Sequence, residues 1–137
     1  MPFVLDCSVT MAWVFSGEAG PSTAALLDSL VTDRAVVPSL WSLEVGNVLL
    51  TATRRGRLSL ADWPRIQADL AVLPLEVDVE THNRALETTL NLAHRYDLSL
   101  YDAVYLELAL RKNLPLATLD HRLQKASRRA HVALMIS

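Results

Sequence analysis

The chain has 137 residues and a formal net charge of −2, and hydrophobic residues make up 51% of it. That length suits one domain, and we expect residues 1–137 to form a single one. The hydrophobic share argues against disorder, and a lone cysteine, Cys7, cannot support a disulfide framework or a cysteine-based zinc site. No apolar run is long enough to span a membrane. Because the first residues lack a basic segment, we expect no secretory signal and a cytoplasmic location.

The charge balance does not exclude nucleic-acid binding. Nucleic-acid-binding domains usually have an excess of basic residues, whereas this chain has 13 basic and 15 acidic ones. The basic residues cluster, however, and setting four acids aside for one metal site leaves the rest of the chain with a balance of +2. Each cluster also has a simpler interpretation as a solvated helix end, because cations are favoured at helix C-termini.

Short apolar runs alternate with helical patterns along the chain. The runs predict buried strands at residues 3–5, 35–37, 75–77, 114–118 and 132–136. The patterns between them predict helices over residues 9–15, 21–31, 39–55, 59–72, 80–95 and 99–112, and from residue 120 onward. Capping residues support these boundaries: Ser8 and Ser39 suit helix starts, Gly56 suits a helix end, and Ser59 with Asp62 has capping-box spacing. Such alternation is typical of an α/β protein whose parallel sheet is covered by helices on both faces.

Four acidic residues hold unusual positions in this pattern. Asp6 ends the first strand and Asp120 follows the fourth, and ligands of open α/β sheets bind at the carboxyl ends of strands where strand order reverses. Glu44 lies on an apolar helix stripe, and Asp102 leads a helix at the rim of another. Carboxylates gathered in one place repel each other unless a cation intervenes, and oxygen ligands favour Mg²⁺ or Mn²⁺. Hydrolysis of a phosphodiester by a metal-activated water is the chemistry that such a site suits.

Each of these acids also has a simpler explanation. Asp6 can end its strand in an Asx turn, and Glu44 can pair with an arginine. Asp102 can complete a capping box with Ser99, and Asp120 can cap the helix that follows it. The joint pattern favours a shared site over four independent roles.

The four acids lie in four short segments whose order along the chain is specific. The segments are Asp6-Cys7-Ser8, with Trp13 and Glu18 after it, and residues 38–47, 98–103 and 117–120. In order and spacing they resemble the motifs of PIN-domain ribonucleases, in particular the compact VapC-type toxins, along essentially the whole chain. The resemblance implies a three-layer α/β/α fold with a parallel five-stranded sheet of order 3-2-1-4-5. That order would put the first and fourth strands side by side.

The resemblance also implies a metal-dependent endoribonuclease. The family positions that match Asp6, Glu44, Asp102 and Asp120 form its catalytic acidic pocket. Asp6, Asp102 and Asp120 would hold Mg²⁺ or Mn²⁺, directly or through water. Glu44 would orient or deprotonate the attacking water.

Three polar residues are candidates for supporting this pocket. Ser8 and Thr118 match family positions whose hydroxyl groups support the acids, and Asn47 is a plausible further partner. A helix cap is an equally good interpretation for Ser8, and a β-branched strand residue is one for Thr118.

The substrate and partners follow from the same resemblance. The RNA backbone needs cations, and the candidates are Arg54, Arg55 and Arg57, or the helix from Arg122 to Arg129. The family suggests a structured RNA substrate, such as a transfer-RNA stem-loop or a ribosomal-RNA loop. It also implies inhibition by a cognate VapB-type antitoxin, which binds a groove between helices, and a homodimer.

Two other functions stay open at this point. Phosphatases of the haloacid-dehalogenase type also use an aspartate at the end of the first strand with Mg²⁺. That family needs a second aspartate two residues later, where this chain has Ser8. A catalytically silent interaction module with the PIN fold would keep the architecture without the activity.

Overall fold

The sheet of this protein is built around its first strand. The computed structural model describes residues 1–15 and 20–136, so the predicted break at Gly17 and the motif residue Glu18 lie outside the described residues. Within them, four parallel strands form one sheet: β1 (Phe3–Leu5), β2 (Ala35–Pro38), β3 (Leu75–Asp78) and β4 (Leu116–Ala117). Their order is β3-β2-β1-β4. The carboxyl ends of β1 and β4 therefore lie side by side, as the resemblance implies.

Helices fill the connections between these strands. They are α1 (Cys7–Val14), α2 (Pro21–Ser29), α3 (Leu40–Arg54), α4 (Trp63–Ala71), α5 (Thr81–Arg84), α6 (Leu90–Tyr96), α7 (Leu100–Lys112) and α8 (His121–Arg129). A 3₁₀ turn (Leu60–Asp62) precedes α4, and a π-helical turn (Ala85–Thr89) joins α5 to α6. In the described ranges, no helix is long and apolar enough to cross a membrane.

The core lies on both sides of β1. Successive side chains of a strand point to opposite faces of the sheet, and Phe3, Val4 and Leu5 are all fully buried. Both faces are therefore covered, which confirms the α/β prediction. Helix α7 packs on β1, β2 and β4, while α1 packs against α2 and α3.

Helix boundaries follow capping chemistry in most places. The Ser99 hydroxyl oxygen accepts a hydrogen bond from the Asp102 amide at 3.1 Å, which starts α7. Gly56, with φ of +79°, follows α3 in the left-handed conformation that glycine adopts without strain. One predicted cap was wrong, because α1 already begins at Cys7 and Ser8 lies inside it. Ser39 does occupy the N-cap position of α3, although its side chain makes no capping hydrogen bond.

The predicted fifth strand is not formed. Leu134 makes one parallel bridge with Leu116, through Leu116 N–H donating to Ala133 O and Met135 N–H donating to Leu116 O. The predicted fourth strand is also shorter than expected. Pro115 precedes it. Its carbonyl oxygen accepts a hydrogen bond from Val4 N–H at 2.9 Å, but proline has no N–H to donate in return, so the ladder is not continued there. The last apolar run thus lies beside β4 without becoming a strand.

Candidate active site

Asp6 stands at the carboxyl end of β1 and is held in place from the neighbouring strand. Its backbone N–H donates to Ala117 O at 3.0 Å, and its side chain is only 5% exposed. The hydroxyls of Ser8 and Thr118 both donate to Asp6 Oδ2, at 2.6 and 2.8 Å. Burial raises the pKa of Asp6, these hydroxyls and the Ser8 backbone lower it, and the charge of Asp120 raises it again.

Ser8 and Thr118 also connect the loop after β4 to the start of α1. Ser8 Oγ accepts a hydrogen bond from Leu119 N–H at 2.9 Å, and Thr118 Oγ1 accepts one from Asp120 N–H at 3.0 Å. Both hydroxyls thus lie against Asp6, as the resemblance implies. Neither of the simpler roles applies, because Ser8 is not a cap and Thr118 lies after the last residue of β4.

Glu44 is held by a tyrosine rather than by an arginine. The Tyr105 hydroxyl donates to Glu44 Oε1 at 2.5 Å, across 61 residues of sequence, and joins α3 to α7. Tyr105 is completely buried. Burial raises the pKa of Glu44, the Tyr105 hydrogen bond lowers it, and the charges of Asp6 and Asp102 raise it.

Sequence reasoning missed Tyr105 as a site residue. It follows Asp102 by three residues, so both lie on the same face of α7. A hydroxyl on a buried helix stripe requires a hydrogen-bond partner, and that requirement was the available signal.

Asp102 and Asp120 perform local capping roles and also face the site. Asp102 contributes its amide to the Ser99 cap, and Asp120 Oδ1 accepts a hydrogen bond from Leu123 N–H at 2.9 Å at the start of α8. Burial raises the pKa of Asp102 to about 6, with further contributions from the charges of Asp120 and Asp6. The capping explanation is therefore correct for Asp120, whereas for Asp102 only the backbone amide takes part and the predicted capping box is not completed. Neither contact accounts for the mutual repulsion of the acids.

The four acids form one electrostatic group. The negative charge of Asp120 raises the pKa values of Asp6 and Asp102. The charge of Asp6 raises those of Glu44 and Asp102, and the charge of Asp102 raises that of Glu44. Over residues 1–15 and 20–136, no arginine or lysine forms an ion pair with any of them. The group is consequently a concentration of negative charge that hydroxyl and amide hydrogen bonds stabilise, while the charge of Arg122 acts on Asp102 without forming an ion pair.

The donor set fits a hydrated divalent cation. Among the residues with described positions, no three acidic, histidine or cysteine side chains converge closely enough to ligate one ion directly. Mg²⁺ usually takes one or two carboxylates and keeps several waters. Carboxylates that repel each other and have no cation partner suit that mode of binding, and they do not suit a fully dehydrated site.

The only cysteine is not a nucleophile in this arrangement. Cys7 directly follows Asp6 and is buried. Burial, with the charges of Asp6 and Glu44, raises its pKa to about 12. The thiol stays protonated at neutral pH, so covalent thiolate chemistry has no support here.

No described contact joins the predicted supporting residue Asn47 or three of the predicted arginines to the acids. Asn47 is exposed and makes no hydrogen bond to any residue that the structure describes, so its role stays a prediction. Arg54 and Arg55 are exposed at the far end of α3, about 15 Å along the helix from Glu44. The Arg57 guanidinium lies 4.3 Å from the centre of the Phe15 ring.

Arg122 is the predicted cation that the fold brings to the acids. It follows Asp120 by two residues on α8, and its charge lowers the pKa of Asp102. It is exposed. A cation there offsets part of the negative charge at the edge of the acidic group.

Comparisons with known proteins agree with this architecture. Residues 3–129 match the PIN domain family. The chain is 31% identical over 125 residues to "Ribonuclease VapC1" of two Mycobacterium tuberculosis strains, CDC 1551 / Oshkosh and ATCC 25618 / H37Rv, covering 88% of this chain and 90% of each relative. The crystal structure of PAE2754 from Pyrobaculum aerophilum is similar with a TM-score of 0.68, at 22% identity, over 92% of this chain and 84% of that one.

Proposed function

Because the chain belongs to the PIN-domain family and, within it, to the VapC-type proteins, we propose that it is a Mg²⁺- or Mn²⁺-dependent endoribonuclease. The observation that carries the proposal is the group of four mutually repelling carboxylates at the carboxyl ends of β1 and β4, none of them paired with a cation in the described structure. The name of the VapC1 relatives supports ribonuclease chemistry at that site.

In this proposal, Asp6, Asp102 and Asp120 hold the ion through its water shell, with no more than two of them in direct contact with it. The chemistry that the ion supplies is Lewis-acid stabilisation of the charge that develops on the scissile phosphate. Glu44 orients the attacking water or accepts its proton, and the buried Tyr105 hydroxyl keeps the Glu44 carboxylate in position. In-line attack then leaves a 5′-phosphate and a 3′-hydroxyl. No histidine takes part.

The partners are proposals of the same kind. We expect a structured RNA substrate, a VapB-type antitoxin, a homodimer and a cytoplasmic location, with residues 1–137 forming a single PIN domain. The family match over residues 3–129 supports the single domain. An apolar groove of about 300 Å³ between α1, α2 and α4, lined by Trp13, Leu27 and Ile66 among others, supports the antitoxin. Co-purification with the antitoxin and light scattering of the chain alone test these partners; one chain per particle would contradict the dimer.

The direct test is cleavage of a structured RNA by wild type, Asp6→Asn and Asp102→Asn, with and without EDTA. We expect both variants and the EDTA-treated wild type to lose cleavage, because each loses either a carboxylate of the ion site or the ion. Asp28→Asn, the same substitution at an exposed position of α2, is the matched control and should cleave normally. Full activity in either site variant, or undiminished cleavage in EDTA, would reject the mechanism.

The same assay separates the other two functions. A phosphatase of the haloacid-dehalogenase type would hydrolyse small phosphate esters, and nothing in the comparisons supports that family. A silent interaction module would cleave neither esters nor RNA.

A further inference from the structure

A second, basic pocket lies next to the acidic group. It has a volume of about 340 Å³ and is lined by Tyr96 and Asp97 at the end of α6 and by Arg122, Lys125 and Arg129 of α8. The three cations follow each other at i, i+3 and i+7, so they project from one face of α8. The opposite face is buried through Leu123 and Ala126. Because the apolar face of α8 packs in the core, its basic face lines this pocket.

The charges of this pocket are not neutralised within the described chain. No ion pair joins Arg122, Lys125 or Arg129 to an acid in residues 1–15 or 20–136. Asp97 is the single acidic residue of the lining, which leaves a formal charge of +2. Unpaired cations around a concave space attract an anion.

The Tyr96 ring holds part of this basic face in place. The Arg129 guanidinium lies 5.3 Å from the centre of the ring, and that of Arg95 lies 5.5 Å from it. Such cation–π contacts restrict the side chain without neutralising its charge. Arg129 is therefore pre-positioned at the pocket and stays available to an anionic ligand.

The position of the pocket indicates which anion it takes. Arg122 connects the pocket to the acidic group, because it lies two residues from Asp120 and its charge acts on Asp102. From Arg122 to Arg129 the basic face extends about 10 Å along α8. A polyanion whose scissile phosphate enters a group of carboxylates is repelled there, and cations immediately beside that group offset the repulsion.

We propose that the pocket of Tyr96, Arg122, Lys125 and Arg129 is a backbone-phosphate subsite for the RNA strand adjacent to the scissile bond. The inference rests on the proposed nuclease function for the choice of RNA as the anion. It assigns strand binding to α8 rather than to the arginines at the end of α3. Lys125 and Arg129 bind phosphates away from the reacting atoms, so they set affinity and not the chemical step.

The test measures binding of a fluorescently labelled single-stranded RNA oligonucleotide by anisotropy, in EDTA and across a salt series. Each phosphate contact contributes roughly 0.7 to the slope of log affinity against log salt for single strands. The double variant Lys125→Gln/Arg129→Gln should therefore reduce that slope by about 1.4, and should weaken binding roughly 25-fold at 0.1 M salt.

The matched control is Arg34→Gln/Lys112→Gln. It also removes two positive charges, one of them in the last turn of a helix, but Arg34 lies before β2 and Lys112 lies at the far end of α7 from Asp102. The control should keep the wild-type slope. Asp97→Asn should change binding in the opposite direction. Because it removes a negative charge from the pocket, it should strengthen RNA binding by up to about fivefold. Asparagine tolerates the left-handed backbone at this position, where φ is +54°.

An unchanged salt slope in the Lys125/Arg129 variant would overturn the proposal, as would equal losses in both double variants. If the double variant fails to fold by circular dichroism, Asp97→Asn decides, and binding no tighter than wild type overturns the subsite. Because EDTA removes the ion that the proposed cleavage needs, the binding measurement is independent of catalysis. If Asp6→Asn abolishes cleavage while the Lys125→Gln/Arg129→Gln variant keeps the wild-type salt slope, the nuclease function stands and the phosphate subsite on α8 is rejected.

Discussion

At the scale of single residues, neutral hydroxyl donors rather than ion-paired cations stabilise Asp6 and Glu44 of the acidic group. The hydroxyls of Ser8 and Thr118 donate to Asp6, and that of Tyr105 donates to Glu44. A hydrogen bond from a neutral donor favours the ionised carboxylate without cancelling its charge. The group therefore keeps its attraction for a divalent cation, which pairing with arginine would have removed.

Tyr105→Phe tests this principle at Glu44. The substitution removes only the hydroxyl, so the pKa of Glu44 should rise, because the Tyr105 hydrogen bond now lowers it. Glu44 would then ionise at higher pH, and the acidic limb of the pH–rate profile for RNA cleavage should move upward. Loss of a buried hydrogen bond to a charged group should also cost about 1–3 kcal/mol of stability.

Tyr101→Phe is the matched control for that measurement. It removes the same hydroxyl from a residue that is 61% exposed on the same helix, and its pH profile should equal that of wild type. If Tyr105→Phe lowers stability but leaves the profile unchanged, the Tyr105 hydroxyl stabilises the fold without setting the pKa of Glu44.

At the scale of elements, one arginine joins β3 to α7. Arg111 donates from Nη1 and Nη2 to the two carboxylate oxygens of Asp78, at 3.0 and 2.7 Å, and from Nε to Glu107 at 2.8 Å. The side chains of Asp78 and Glu107 are only 5% and 4% exposed. The contact anchors the C-terminal half of the helix whose first turn carries Asp102.

Arg111→Met should destabilise the fold by roughly 3–5 kcal/mol in urea unfolding at pH 7, because Asp78 then keeps only the Glu80 amide as a partner and Glu107 keeps only Arg84, at 3.9 Å. The Arg111 guanidinium holds the pKa of Asp78 below its usual range. Its stabilisation is therefore present above the pKa of the unfolded chain, about 4, and is lost as the pH falls below it. The difference in unfolding free energy between Arg111→Met and wild type should therefore become smaller as the pH falls below about 4.

Arg34→Met is the control, because the Arg34–Glu76 ion pair is about half exposed and should contribute only about 0–1 kcal/mol. Equal effects of the two substitutions would show that burial of the Arg111 network has no energetic consequence.

At the scale of the whole molecule, the metal-free protein carries the cost of burying carboxylates beside one another, which the proposed ion site requires. The pKa of Asp102 is about 6 in the folded protein, and about 3.9 is the ordinary value for an unfolded chain. A raised acid pKa means that the folded state binds more protons between these values. Relative to Asp102→Asn, the metal-free wild type should therefore lose stability as the pH rises from about 4 to about 6, and should stay at the lower level above it.

Millimolar Mn²⁺ at pH 7.5 should recover the lost stability and raise the melting temperature. The ion acts both by relieving the repulsion between the carboxylates and by mass action. At pH 5, where Asp102 is largely protonated, the gain should be smaller. Scanning calorimetry with and without Mn²⁺ measures both effects. A melting curve that Mn²⁺ leaves unmoved at pH 7.5 would show that the four acids do not act together on a cation.

Local patterns in the sequence determined most of the elements and the positions of the four acids. Alternation of apolar runs with helical stretches depends on residues close in the chain, and so do the caps at Ser99 and Asp120. The structure has these features where the sequence predicted them. The order of the strands was available only from the family resemblance, because strand order depends on packing between distant segments.

Only the tertiary structure decided which groups meet. The Tyr105–Glu44 bond spans 61 residues and the Thr118–Asp6 bond spans 112. Neither leaves a periodic trace in the sequence. The same holds for the last apolar run, whose composition suits a strand but whose neighbour β4 offers only two residues for pairing. Composition and period specify what a segment can form, whereas the partner that completes it is set by the packing of the whole chain.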